Sequence, residues 1–427
     1  MHRYSPQLGW MVYSNGRWRK SSEGHSALQA TKDFIDEVKA SLEARMADGP
    51  DDFAEQLAKR IGATRTRKFI NAVLALAKVD PLVCCDANLF DAQSDLLNFP
   101  NGTLELDTMM FREDDPEDFI TKQTSIPFDA RATCPTFDRV LAEVLPDQEV
   151  RRFLLQLLGY ALTGKPLEQI LVFIIGPGRT GKSLIFGIVQ HLLGDYAANA
   201  EPSSFMRNSN QSIRNDLARL AGVRMALTSE LGQGDILDAA LVKRLSGADK
   251  ITARFLHKEH FEFEPEFTLF MLSNHEPVIN GADEGLARRI LIVPFENVVP
   301  ADNVDPHLAV KLRTEGSGIM NRLLEGLKDY QENGLCIPGS IRARTDRYLK
   351  SSDLIGQFLE HLAEGCGTSG WQAASFIHGM YVRWCNENGY KPMSSNIFGL
   401  ELAARKLEKK RTNRGYSWFI PAVDTEG

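Results

Sequence analysis

Gly176-Pro177-Gly178-Arg179-Thr180-Gly181-Lys182-Ser183 is the stretch of this 427-residue chain whose residue types and spacing point most directly to chemistry. It fits G-x-x-x-x-G-K-[ST], a glycine-rich turn whose backbone N–H groups face phosphates. Lys182 would reach the β- and γ-phosphates and the Ser183 hydroxyl would ligate Mg²⁺, so residues 176–183 predict binding of a nucleoside triphosphate. The elements needed to position such a loop flank it. Leu171 to Ile175 is an apolar run suited to a buried parallel strand. Leu184, Ile185, Ile188, Val189, Leu192 and Leu193 have the spacing of an amphipathic helix. Strand, loop and helix in that order are the context the motif requires, and they predict an α/β core.

Further candidates follow downstream. Val223 to Thr228 predicts a second strand, expected beside the P-loop strand and leading to Ser229-Glu230. A carboxylate there could act as general base toward an attacking water. Phe267 to Leu272 predicts a third strand ending at Ser273-Asn274-His275, where the Asn274 amide could hold that water. Arg288 and Arg289 precede a fourth apolar strand, Ile290 to Phe295; the pair also suits a surface salt bridge. Between the second and third strands, Phe261 and Phe263 alternate with Glu262 and Glu264. Arg254, His257, Lys258 and His260 lie around the bend, which predicts a β-hairpin with a basic tip. His257 and His260 lack the further ligands that would make a metal site.

Length suggests two or three domains, and 43% hydrophobic with 25% charged residues is an ordinary globular balance. A formal net charge of −7 argues against a uniformly basic nucleic-acid coat but leaves room for a local basic channel. The six cysteines, 84, 85, 134, 336, 366 and 385, show neither a C-x-x-C spacing nor a disulfide framework. No apolar run is long enough to span a bilayer.

In chain order, Trp10, Tyr13 and Trp18 around Ser14-Asn15-Gly16 predict a hairpin with packed aromatics. Residues 26–45 and 51–79 predict two helices, and Lys59, Arg60, Arg65, Arg67 and Lys68 suit a solvated face. Pro100 to Leu106 reads as a turn entering a strand, residues 135–145 and 147–162 as helices. Residues 341–362 and 394–410 predict further helices, and Trp371, Phe376, Tyr381 and Trp384 mark others. Residues 411–420 predict a two-strand wing turning at Asn413-Arg414-Gly415. Arg405, Lys406, Lys409, Lys410, Arg411 and Arg414 would then line a recognition helix and wing suited to phosphate contacts.

Seven blocks, PNGTLEL, GYALTG, GPGRTGKS, LTSE, LVKRLSGADKITARFLHKEHFEFEP, LSNHEP and DEGLARRILIVPF, occur in one order over residues 85–350. Together they resemble the superfamily 3 helicases, in particular the helicase half of phage and plasmid primase–helicases, with the poxvirus primase–helicase more distant. The resemblance implies a P-loop core of the AAA+ type at 151–337, a helical N-terminal collar at 1–150 and a C-terminal winged-helix module at 338–427. It implies ATP with Mg²⁺, nucleotide contacts from Gly176 through Ser183, and catalytic roles for Lys182, Glu230, Asn274 and Arg289. Ser229 stands where the family's metal-ligating Asp usually stands, which leaves Ser183 as the metal ligand. Arg289 resembles the arginine finger offered to a neighbouring subunit, ahead of Arg288, and Lys165 a phosphate-sensing lysine.

Arg254, His257, Lys258, Lys409 and Lys410 are the expected DNA contacts. The implied protein is a homohexameric, 3′-to-5′ DNA helicase acting on single-stranded and forked DNA for a phage, plasmid or integrated element, in the host bacterial cytoplasm and away from membranes. The family's primase–polymerase signature is missing, so a free-standing helicase and a fragment with a fused or partner primase are both expected possibilities. An ATP-switched initiator or loader is the alternative from another class; a nucleotide kinase lacks a recognisable acceptor lid.

Overall fold

The computed structural model describes residues 1–47, 49, 52–206, 217–228, 231–232, 237–247, 249–254, 261–277, 284–365, 370–390, 392–413 and 415–420. The chain begins with an antiparallel sheet of β1 (His2–Ser5), β2 (Gly9–Ser14) and β3 (Arg17–Lys20). Asn15 and Gly16 sit at φ 51° and 75°, the left-handed pair that a two-residue hairpin requires. Tyr13 lies opposite Trp18, and Trp18 is 1% exposed, so this aromatic pair is packing. α1 (His25–Ala47), α2 (Asp52–Thr64) and α3 (Arg67–Ala77) follow. The single helix expected over 51–79 is thus two. Thr66 leaves the helical path and its hydroxyl accepts from Phe69 N–H, capping a new helix. Lys59 and Arg65 are tied to Glu55 and Asp36 on exposed faces, as a solvated role requires.

β4 (Leu96–Phe99), β5 (Gly102–Glu105) and β6 (Met110–Arg112) form a second antiparallel sheet. α4 (Pro135–Val144) and α5 (Gln148–Ala161) come next, the latter capped by Asp147 on Glu149 N–H. The central sheet is built from β7 (Leu171–Ile175), β8 (Ala197–Ala200), β9 (Met225–Thr228), β12 (Thr268–Ser273) and β13 (Ile290–Pro294). Between them in sequence lie α6 (Lys182–Leu193), α7 (Ala239–Ser246), the hairpin strands β10 (Ile251–Ala253) and β11 (Phe261–Phe263), and α8 (Glu284–Ala287).

All pairings in the central sheet are parallel, in the order β13-β7-β12-β9-β8. β9 is therefore not beside the P-loop strand, as expected from sequence; β12 stands between them. The composition of a strand reports its burial, whereas its neighbours are chosen by where the connecting helices return the chain. Alternate residues serve two cores. Val172, Ile174, Phe270, Leu272, Leu291 and Val293 face one core shared with α4, α5 and α6. Phe173, Met271 and Ile292 face the other, with Leu241 and Tyr348. Burial on both faces is what unbroken apolar strands encode.

α9 (Leu308–Thr314) packs on α6 and α4, and α10 (Gly316–Asn333) returns the chain against α5. A Cβ on Gly326 would lie 2.1 Å from Leu155 O, so these helices meet backbone to backbone. Arg224, fully enclosed at the start of β9, donates to Leu162 O and Leu96 O at 2.6 Å each and lies 4.6 Å from the Tyr196 ring. It locks β4 and the end of α5 to the central sheet. Burial pushes its guanidinium below its ordinary range and pushes the nearby Glu266 carboxyl up.

The chain continues through α11 (Gly339–Ser352), α12 (Leu354–Gly365), β14 (Gly370–Ala373), α13 (Ala374–Glu387), α14 (Ser395–Ala404), β15 (Lys409–Thr412) and β16 (Gly415–Ile420). Four expectations are corrected here. The helix over 341–362 breaks at Asp353, whose carboxylate accepts from Gly356 N–H. Trp371 is on a strand, and where a two-strand wing was expected the sheet has three strands in the order β14-β16-β15. The helix over 394–410 stops at Ala404: Lys406 takes φ 59°, Leu407 N–H closes on Leu402 O, and Lys409 and Lys410 become strand residues. Among the described residues no helix is long and apolar enough to cross a membrane.

Candidate active site

β7 ends at Ile175 and turns at once into the glycine loop. Gly176 N–H donates to Ser273 O (3.3 Å) at the tip of β12, while Phe295 N–H donates to Ile175 O (2.7 Å) from beyond β13. The loop leaves the sheet pinned between two neighbours. A Cβ on Gly176 would lie 1.8 Å from the carbonyl oxygen of Phe295, so only glycine fits. Gly181, at φ 79°, turns the chain into α6. The first N–H groups of α6 have no partner within the helix, and with the positive end of its dipole they favour an anion here.

Lys182 opens that helix and is 5% exposed. Its Nζ reaches Gly176 O, Pro177 O (2.8 Å), Thr180 Oγ1 (3.2 Å) and Asn274 Oδ1 (3.2 Å). These four oxygens are uncharged, and an anionic phosphate oxygen is a stronger acceptor for an ammonium than any of them. Thr180 Oγ1 donates to Pro177 O at 3.0 Å and Val299 N–H to Arg179 O at 2.9 Å, which hold the loop's far side. Ser183, one residue into α6, is exposed beside this cradle. The donor set fits a nucleotide phosphate chain with its Mg²⁺. The structure thus brings Lys182, Ser183 and Asn274 to one edge of the sheet.

Arg289 is placed at the other edge. Its carbonyl accepts from Leu171 N–H (2.7 Å), at the start of the strand whose far end carries the loop. The strand separates it from its own loop by about 16 Å at ~3.3 Å per residue. Its Nη1 donates to Lys243 O and Ser246 Oγ, both at 3.0 Å, at the end of α7. Arg288 is exposed. Lys165 is paired with Asp95, and its neighbour Gly164 lies against Arg224 and the Glu266 carbonyl, again away from the loop.

Glu230, expected at the end of the second strand, and His257 and Lys258, expected at the basic tip, lie outside the described residues, as do Ser229, His260 and Arg414. The strands that lead into the tip are described: β10 and β11 pair with Ala253 opposite Phe261 and Ile251 opposite Phe263. Arg254, immediately after β10, has a buried Nε without an acceptor among the described residues. Lys409 and Lys410 are exposed on β15, remote in sequence and element from the loop.

Sequence reasoning missed a cavity of about 370 Å³ beside the loop. Val140 and Val144 of α4, Leu184 of α6, and Val299, Val304 and Leu308 line it, with Arg179 and Gly181 on the loop side. Its size and apolar walls suit a planar base. The only sequence signal was helical apolar periodicity, which reads equally as core.

Three family descriptions match the chain in order: "D5 N terminal like" over residues 2–146, a family of unknown function over 174–289, and "Poxvirus D5 protein-like" over 350–421. "Putative helicase L207/L206" of Acanthamoeba polyphaga mimivirus is 28% identical over 292 residues, covering 63% of this chain and 30% of that protein. A Frog virus 3 protein of similar name, 022R, is 29% identical over 241 residues, covering 52% of this chain and 25% of that protein. Together these matches support assignment to the D5-like superfamily 3 helicases.

Other relatives carry primase names, among them "Putative primase C962R" of African swine fever virus, 21% identical over 327 residues, covering 70% of this chain and 34% of that protein. The chain spans about a third or less of the length of these viral relatives. The solved apo structure of the NrS-1 C-terminal region (305-718) shares the fold at 11% identity, with a TM-score of 0.51 over 99% of this chain and 96% of that one.

Proposed function

We propose that this chain is the motor portion of an ATP-driven DNA helicase serving replication of a virus or mobile element. Its core is a P-loop domain of the AAA+ type, with residues 1–150 as collar and 338–427 as a winged-helix module. The observation that carries the reading is the meeting of Lys182, which opens α6 beside Ser183, with Asn274, which follows β12.

Bound Mg²⁺–ATP would supply the phosphoanhydride bond that is broken. Lys182 and the loop N–H groups neutralise phosphate charge, Ser183 holds the metal, and the apolar cavity by Val140 and Leu308 takes the base. Glu230 accepts the proton of the attacking water, and Asn274 orients that water. The placement of Arg289 across the sheet from its own loop supports action on a neighbouring subunit's nucleotide, and hence a ring, here a hexamer. The hairpin bearing Arg254, His257 and Lys258 then grips one DNA strand and moves it 3′ to 5′ through the channel. A primase, fused or separate, completes the machinery in the host cytoplasm.

The test is a forked duplex incubated with the chain, with and without ATP. Strand separation that requires ATP and is lost in Lys182→Ala is expected. ATP-dependent assembly on DNA without strand separation would replace this reading with an initiator or loader.

A further inference from the structure

Strand β16 buries Trp418 and Ile420 (2% and 1% exposed) against α12, α13 and α14, so alternation turns Ser417 and Phe419 outward. An outward position on a three-stranded sheet ordinarily carries a polar side chain. Here Phe419 is 37% exposed and faces Trp371 of β14, itself 39% exposed. Their rings meet edge-on, with centroids 5.6 Å apart and planes at 65°. Lys410, across from the small Ser417, extends over that residue until its Nζ is 3.9 Å from the Trp371 ring centre. On the sheet's opposite face, which carries Trp418, Lys409 Nζ is 4.1 Å from the Tyr416 ring, 51% exposed, and 5.1 Å from that of Trp418.

Nothing in the core packing of this module accounts for two adjoining solvent-facing rings, Trp371 and Phe419, with a lysine over the first. Residues 405–414 contain six basic side chains and one acid, Glu408, in a chain of net charge −7. Arg405 is spent on Asp353, and Glu408 stands at the edge of the same face beside Phe419. On this face Lys410 supplies the basic group of β15, since alternation turns Lys409 and Arg411 to the side of Trp418 and Tyr416. Exposed rings stack on base faces, which are open in an unpaired strand and closed inside a duplex, while lysines hold the adjoining phosphates.

We infer that the outward face of β14, β15 and β16, centred on Trp371 and Phe419 with Lys410, is a stacking platform for the unpaired bases of single-stranded DNA. It deepens the DNA-binding reading proposed above and rests on it. It also moves Lys410 from the helix-borne duplex contact expected from sequence to support of stacked bases on a sheet.

The test uses the full chain with oligo(dT) and with a blunt-ended hairpin duplex of equal charge, titrated at several salt concentrations. Trp371→Ala is expected to weaken oligo(dT) binding on the order of 10-fold while duplex affinity changes less than about twofold. Trp371→Phe should restore most of the loss, because stacking needs a ring rather than an indole. Lys410→Ala should lower the salt dependence of binding, whereas Trp371→Ala should leave that slope intact. Melting temperatures within a few degrees of the parent show that the exposed substitutions leave the module folded.

Unchanged oligo(dT) affinity in Trp371→Ala, or equal losses for oligo(dT) and duplex, overturns the platform while leaving the helicase reading standing. A parent chain that binds neither DNA overturns both.

Discussion

Lys182 Nζ lies 3.2 Å from Asn274 Oδ1, joining positions 92 residues apart across two parallel strands. The pair predicts a graded mutant series. Lys182→Ala should abolish ATP hydrolysis. Asn274→Asp replaces a neutral acceptor by a carboxylate that competes with phosphate for the ammonium, so ATP affinity should fall about 10-fold, or ~1.4 kcal/mol. Asn274→Ala should lower kcat with nucleotide affinity changed less than about threefold. Equilibrium nucleotide binding alongside steady-state turnover separates these outcomes, and parent-like affinity in Asn274→Asp would show that the pair plays no part in binding.

Two glycines in the loop should differ. Gly176→Ala forces its Cβ onto the Phe295 backbone, so nucleotide binding should be lost and the melting temperature reduced. A Cβ on Gly178 would meet no atom within 4 Å, and its φ is not positive, so Gly178→Ala should bind nucleotide within about threefold of the parent. Calorimetric titration of the two variants decides the comparison.

Arg289 is expected to act between subunits. Arg289→Ala alone should lower turnover on the order of 10³-fold if it serves as an arginine finger. Mixing it with Lys182→Ala subunits should recover part of the activity, since some interfaces then carry both intact groups. No recovery at any ratio, with co-assembly shown by light scattering, would assign Arg289 to holding α7 through Lys243 O and Ser246.

Lys258→Ala should lose DNA-stimulated ATP turnover and the unwinding of a preloaded fork, with turnover in the absence of DNA as internal control. Phosphate contacts from the hairpin should also make the parent's unwinding fall with added salt. Unwinding equal to the parent would remove the hairpin from the DNA path.

Asp114 gives a pH test independent of activity. Its Oδ1 accepts from Asn98 Nδ2 at 2.7 Å and Thr103 Oγ1 at 2.8 Å, but burial is the larger influence and raises its pKa. The native state then holds a proton that the unfolded chain releases earlier. Stability from this group is complete below the unfolded value, about 4, and is lost as pH rises through the raised folded value. Asp114→Asn keeps an acceptor for both donors and carries no charge. Its melting temperature should equal or exceed the parent's at pH 7, with the difference vanishing below about pH 4. A lower melting temperature at pH 7 would show that the two donors need a carboxylate.

The P-loop, its strand and its helix were legible in the residues because their causes are local. An apolar run that must be buried on both faces, glycines that must turn, and a 3.6-residue periodicity lie within one short stretch. The Asn15-Gly16 hairpin and the strand alternation of Phe261 and Phe263 were legible for the same reason. The tertiary structure decided what depends on how the chain returns. It put β12 rather than β9 beside β7, and so placed Asn274 against Lys182. It set Arg289 at the opposite edge of the sheet from its own loop, because a parallel neighbour starts where its partner starts. It divided residues 51–79 at the Thr66 cap, and it turned Lys409 and Lys410 from helix to strand, since a turn through Lys406 lets β15 pair with β16. Pairing partners and sheet edges arise from contacts distant in sequence, and no single stretch of residues carries them.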